Sequence, residues 1–163
     1  TKDHWKKGYQ KVLLKEVAHH FQPGDRVGIF RGMFEGLKPV SGDSRSLLII
    51  TRPQVDIDYP LWDEARSVWK ENQPSEEEFC SDLQEAGFVG VEHTIKAYPC
   101  RIAFDRWKSM VRGRFWSTFS NFSDDELSVA CQKIERDYKD RLDEKGIIQF
   151  EDRLVTISAR KDI

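Results

Sequence analysis

The chain has 163 residues, the length of one domain, and its 39% hydrophobic and 33% charged content is that of a soluble globular protein, which excludes fibrous and disordered classes. Twenty-six basic and 28 acidic side chains leave a formal net charge of -2, so no global field pulls the chain toward nucleic acid or an anionic membrane. No apolar run nears the roughly 20 residues that a bilayer span needs, and the charged start at residues 1–7 is no signal peptide.

Three cysteines, Cys80, Cys100 and Cys131, are far apart and lack metal-ligand spacing, which suits reduced thiols in a cytoplasmic or nuclear protein. The chain does not begin with methionine, which suggests a piece of a longer protein.

In chain order, Lys11 to Phe21 opens as a buried strand and ends in polar residues before a Pro23-Gly24 turn. Glu16, His19 and His20 therefore fall at a strand's carboxyl end, where open parallel sheets place their ligands. The paired histidines invite a metal reading. Adjacent residues of a strand face opposite ways, and no third ligand is near, which argues against it.

Asp25 to Leu37 carries Val27, Phe30, Met33, Phe34 and Leu37 at helical spacing, with Leu37-Lys38-Pro39 as its stop. Gly28, Gly32 and Gly36 recur every four residues at about 1 kcal/mol each against alanine, a pattern that predicts tight packing on a neighbour. Residues 40–45 read as a polar, mobile loop. Ser46 to Pro53 is an apolar run without alternation, which predicts an interior strand covered on both faces.

Arg52 to Pro60 suits a lid carrying binding groups, or a helix start with Asp58 as cap and Pro60 at the first position. Leu61, Trp62, Ala65, Val68 and Trp69 follow at helical spacing as core or pocket wall. Ser75 and Glu78 form a capping box, and Gly87 provides the left-handed stop of that helix. Val89, Val91, His93, Ile95 and Ala97 then alternate as a strand, with His93 expected in the core.

Residues 103–145 read as a helical insertion rich in aromatic and basic side chains. Phe104, Trp107, Met110, Val111 and Phe115 lie at helical spacing, Phe115 to Phe122 is too aromatic for a free loop, and Ser123 with Glu126 is a second capping box. The following helix is expected to run through Leu142 and to end at Lys145-Gly146. Arginines among aromatics allow a nucleic-acid reading. The acidic residues Asp124, Asp125, Asp137 and Asp140 in the same segment oppose it, and nucleic acid is not an expected partner. The last strand, from Ile147 to Lys161, is expected to break in a bulge near residues 151–153.

A helix ending in Leu37-Lys38-Pro39, a buried strand, a helix ending in Ala86-Gly87-Phe88, and a final Phe150, apolar run and Ala159-Arg160-Lys161 together resemble the C-terminal half of a class I, S-adenosylmethionine-dependent methyltransferase. The resemblance implies a single α/β domain over 1–163. Its partial Rossmann-like sheet would have the strand order 4-5-7-6, the last strand antiparallel, helices on both faces, and residues 103–145 as a cap over the acceptor.

The same resemblance implies S-adenosylmethionine as cofactor of the intact parent and methyl transfer to a small-molecule acceptor. Glu16 and His19 would border the cofactor, and His19 or His20 would serve as base. Arg52, Tyr59, Trp62, Trp107, Arg112, Arg114, Phe115 and Trp116 would bind substrate, with plain helix packing as the alternative for each.

No glycine-rich loop follows a strand anywhere in the chain, so the cofactor motif is missing and these residues alone are expected to be inactive. The strand at Lys11 to Phe21 would then be an open sheet edge, to be covered by the missing half, a second copy, or residues 1–10. A non-catalytic protein-binding module is the alternative from another class.

Overall fold

A computed structural model describes residues 8–38 and 45–162. The elements are β1 (Val12–Lys15), α1 (Pro23–Gly36), β2 (Leu47–Thr51), α2 (Asp63–Asn72), α3 (Glu76–Glu85), β3 (Val89–Ala103), α4 (Phe104–Arg112), α5 (Asp124–Asp137) and β4 (Ile147–Arg160), with short 3-10 turns at Ala18–His20, Ser117–Asn121 and Lys139–Arg141. The predicted stop at Pro39, the loop at 40–44 and residues 1–7 lie outside the described residues.

The chain divides into two units: residues 1–54, 73–96 and 154–163, and residues 55–72 and 97–153. In the first, the sheet order is β1-β2-β4-β3. β1 runs parallel to β2, with Val12 opposite Leu47 and Leu14 opposite Ile49, and β4 runs antiparallel to β2, with Ile49 opposite Ile157. An antiparallel last strand inserted between its two predecessors is the arrangement that the sequence predicts.

Two strand expectations need correction. β1 is four residues long, because Glu16 sits at φ 54 and turns the chain out of the sheet after its amide donates to the Ile50 carbonyl at 2.9 Å. His19 and His20 therefore lie in the 3-10 turn, not on a strand. β2 is not covered on both faces. Its Leu47 and Ile49 join Phe30 of α1 and Phe79 and Leu83 of α3 in one core, so both helices of this unit lie on the same face. On the other face Leu13 is 61% exposed and Leu48 and Ile50 are half-buried, so within this unit the two helices cover one face of β1 and β2 only.

α1 starts with Pro23 at its first turn, where a missing N–H costs nothing. Its glycine stripe does not pack: Gly28 and Gly32 are exposed, with nothing near the position of a Cβ, and Gly36 alone of the three is buried. Arg26 is buried and ties α1 to α3, its Nε donating to Asp82 at 2.5 Å while Glu78 lies 3.7 Å away. The first capping box forms, the Glu78 amide donating to Ser75 Oγ at 3.2 Å and the Ser75 amide to Glu78 Oε2 at 2.8 Å. Gly87 holds φ 105, and the Phe34 ring stands 3.4 Å from where its Cβ would be, so both conformation and space call for glycine. His93 is exposed, not a core residue, because its face of β3 is left uncovered over residues 92–99.

The second unit is an aromatic core. Trp62 stacks on Phe119 at 5.9 Å, and Trp116 meets Tyr59, Trp69 and Trp107 at 4.7, 5.4 and 5.4 Å. The second capping box also forms, between Ser123 and Glu126. α5 ends at Asp137, short of the predicted Lys145-Gly146, and those two residues make the turn into β4, where Asp143 Oδ1 accepts from the Lys145 and Ile147 amides at 2.9 Å.

The loop expected as a lid is fastened instead. Asp58 accepts from the Glu151 amide at 3.0 Å and pairs with Arg141 at 3.1 Å, the Tyr59 hydroxyl donates to Asp152, and Arg153 donates to the Asp56 carbonyl at 2.7 Å. α2 accordingly starts at Asp63 rather than Pro60, and Asp58 caps nothing. β4 runs from Ile147 to Arg160 without ending at 151–153, but its buried side changes there, from Ile148 to Val155, Ile157 and Ala159, and residues 151–153 anchor this loop.

Candidate functional site

The parallel pair β1 and β2 ends with both carboxyl termini side by side, and polar side chains gather there. Glu16, forced out of extended geometry, receives Arg52 Nη1 on Oε2 at 2.5 Å. Both are partly buried, with side chains 31% and 18% exposed, so this pair is better shielded from solvent than an ordinary surface bridge.

One turn later His19 and His20 pack ring to ring at 4.1 Å with planes tilted by 49°. A strand would have put the two rings on opposite faces; the 3-10 turn brings them together. His19 Nδ1 is buried with no hydrogen-bond partner. Burial first, then the neighbouring His20 and Arg52, push His19 down to about 4. At neutral pH its imidazole is therefore uncharged, and Nδ1 or Nε2 stands as an acceptor depending on the tautomer.

Gln73 completes the arrangement and was not singled out from the sequence. It is buried, and its Nε2 donates to Thr51 Oγ1 at 3.0 Å and to the Arg52 carbonyl at 2.7 Å, which fixes the end of β2. Nothing in periodicity marks it; its place just ahead of the Pro74-Ser75 helix start is the one local signal. Among the described residues no three His, Cys, Asp or Glu side chains are grouped to share a metal ion.

Of the predicted substrate residues, Arg52 alone lies in this first unit. Tyr59 and Trp107 are each 2% exposed and build the core of the second unit, Trp107 Nε1 donating to the Pro60 carbonyl at 2.8 Å. Trp62, 5% exposed, floors a depression of about 260 Å³ with Phe122, Val129 and Ala130. Arg112 is exposed on α4, Phe115 is 62% exposed, and Trp116 is half-buried in the aromatic core. Arg114, at φ 53, donates to the Phe122 carbonyl at 2.9 Å and pairs with Asp124 at 2.7 Å, so its guanidinium is occupied.

The His19 shift has a sign that can be checked. Unfolded His19 takes up a proton near its ordinary 6.5, whereas folded His19 resists it down to about 4. Its contribution to stability is intact above pH 6.5 and is lost as the pH falls from there through 4. His19→Asn, neutral throughout, is expected to flatten the decline of Tm over that window; curves that stay parallel in thermal melts would refute the assignment.

No helix among the described residues is long and apolar enough to cross a membrane. No protein-family model matches the chain, and no curated protein matches it. Solved structures do. A protein from Bacillus halodurans assigned as a methyltransferase aligns with 94% of this chain and 70% of its own, at 16% identity and TM-score 0.50. Phosphoethanolamine N-methyltransferase 2 of Haemonchus contortus, in complex with phosphomonomethylethanolamine and S-adenosylhomocysteine, aligns with 95% of this chain at 14% identity and TM-score 0.45. The chain spans 34% of that protein's length. At these identities the likeness is one of fold alone: a mixed α/β chain with a four-stranded sheet.

Proposed function

We propose that this chain is the rear part of an S-adenosylmethionine-dependent methyltransferase acting on a small-molecule acceptor, and that it does not hold the cofactor alone. The observation that carries the reading is the sheet order β1-β2-β4-β3 with β4 antiparallel, strands that would correspond to the fourth, fifth, seventh and sixth of the complete fold. Residues 1–163 would then be one piece of that domain, with 103–145 as its cap, in the cytoplasm or nucleus.

The fit of the cofactor to these residues is partial. His19 offers a neutral ring with a buried, partnerless Nδ1, but the Glu16 carboxylate is held by Arg52 rather than presented to ribose hydroxyls. The chain also lacks a glycine-rich strand-to-helix loop. When bound, the cofactor supplies an already activated methyl group, so the protein's task is alignment, water exclusion and acceptance of the acceptor's proton.

His20 is the residue proposed for the last of these. It is exposed and adjoins His19, whose lowered basicity suits it to orient a hydroxyl or amine by hydrogen bonding. Arg52, held beside Glu16 at the end of β2, is the residue proposed to face an anionic group of the acceptor. Arg112, Phe115 and Trp116 remain proposed acceptor contacts in the second unit.

The outer edge of β1, which no other described strand pairs with, and the face bearing Leu13, Leu48 and Ile50 are proposed to seat the preceding strands and helices of the parent, or a second copy. Tyr9 bridges to Leu37, so the described start of the chain does not cover that edge. Calorimetric titration with S-adenosylmethionine is expected to show no binding to these 163 residues and micromolar binding once the preceding half is restored. Micromolar binding by the chain alone would overturn the claim of incompleteness, and none by the restored protein would overturn the methyl-transfer reading. The alternative, a non-catalytic binding module, rests on the same exposed edges.

A further inference from the structure

The opposite end of the sheet carries a different signal. β3 is 15 residues long and closes the order β1-β2-β4-β3, so one side of it is unpaired by named strands. From Glu92 to Pro99 every residue is exposed, Ile95 by 50% and Tyr98 by 47%. Alternate residues of a strand face opposite ways, so both faces of this stretch are open. A long exposed edge, with Ile95 and Tyr98 among polar residues, is a template for strand addition.

Its two ends are blocked. At Gly90, φ 56, the carbonyl accepts from the Arg45 guanidinium, and Arg160 Nη1 and Arg45 Nη1 lie 2.7 and 2.8 Å from where a Cβ would stand. At the other end Pro99 has no N–H to donate. Between these limits a strand can add only over Val91 to Tyr98.

A second copy pairing about a two-fold axis must place one residue opposite its own counterpart. In an antiparallel ladder hydrogen-bonded and non-bonded pairs alternate, and a two-fold lying between residues would make two unlike pairs equivalent. The axis therefore falls on a residue, and the longest pairing within this stretch puts it on Thr94 or Ile95. On Thr94, and on neither neighbour, Glu92 of each copy stands opposite Lys96 of the other, twice by symmetry, with the threonines facing between them. Glu92 has room for this, since its carboxylate is 66% exposed and meets Arg45 Nη2 through Oε2 at 2.7 Å.

We propose that this chain forms a homodimer by antiparallel pairing of β3 with β3 of a second copy, centred on Thr94. The proposal is independent of methyl transfer. Light scattering coupled to size exclusion, over a wide concentration range, is expected to show a dimer. Lys96→Glu, an exposed change that leaves the fold intact by circular dichroism, is expected to weaken the dimer about tenfold, because two opposite-charge pairs become like-charge pairs. Glu92→Lys combined with Lys96→Glu is expected to restore it. A monomer at all concentrations, including one that binds a different protein instead, overturns the proposal. So does a dimer indifferent to Lys96→Glu, or a double reversal that fails to recover association.

Discussion

Asp82→Ala is expected to destabilise the first unit by about 3 kcal/mol, because it strands a buried guanidinium. Arg26 is 4% exposed and donates through Nε to Asp82 at 2.5 Å, while its charge also lies 5.4 Å from the Phe79 ring centre. Breaking a buried pair by removing one partner costs roughly 3–5 kcal/mol, most of it the desolvation of the group left behind. The lower end applies here, since Glu78 stands 3.7 Å from Nη2 and recovers part of the loss.

Arg26→Met with Asp82→Leu removes both charges and keeps apolar volume between α1 and α3. This double variant is expected to lie within about 1 kcal/mol of the parent, since an apolar pair of similar size commonly matches a buried ion pair. Denaturant unfolding checks both, through the midpoint at unchanged slope. An Asp82→Ala loss below about 1 kcal/mol would mean that Arg26 reaches water freely, against its burial.

Trp107→Ala is expected to cost the second unit about 3–5 kcal/mol. The side chain is 2% exposed, meets Trp116 at 5.4 Å and Phe150 at 5.6 Å, and its Nε1 donates to the Pro60 carbonyl at 2.8 Å. Trp107→Phe keeps most of the packing and deletes that donor, leaving a buried carbonyl unmet, for about 1–3 kcal/mol. The contrast bears on function. Were Trp107 a wall of the acceptor pocket, truncation would leave the unfolding midpoint nearly unchanged and raise KM in the complete enzyme. Unchanged stability in Trp107→Ala would return it to the substrate site.

Both capping boxes were legible in the chain because a serine three residues ahead of a glutamate satisfies orphan helix amides within a single turn. Gly87 was legible for the same local reason, a left-handed residue after an amphipathic helix. The α5 end was misplaced because Tyr138 and Leu142 keep helical spacing into a stretch where Asp143 competes for the backbone amides at 145 and 147. The glycine stripe of α1 misled because spacing places residues on one face without saying which face meets the protein.

The candidate site divides in the same way. Glu16, His19, His20 and Arg52 were recognisable as polar residues at strand ends, but their grouping was not. Glu16 and Arg52 meet across 36 positions of chain, and Gln73 reaches Thr51 across 22.

The sequence alone determined the kind and order of the main elements, since periodicity and capping act within a few residues. Tertiary structure alone decided that the helices of the first unit share one face, that the two histidines touch, and that β1 and β3 are the outer strands of the sheet among the described residues. Those outcomes depend on which distant segments pair and exclude water together, an energy no local stretch of residues contains.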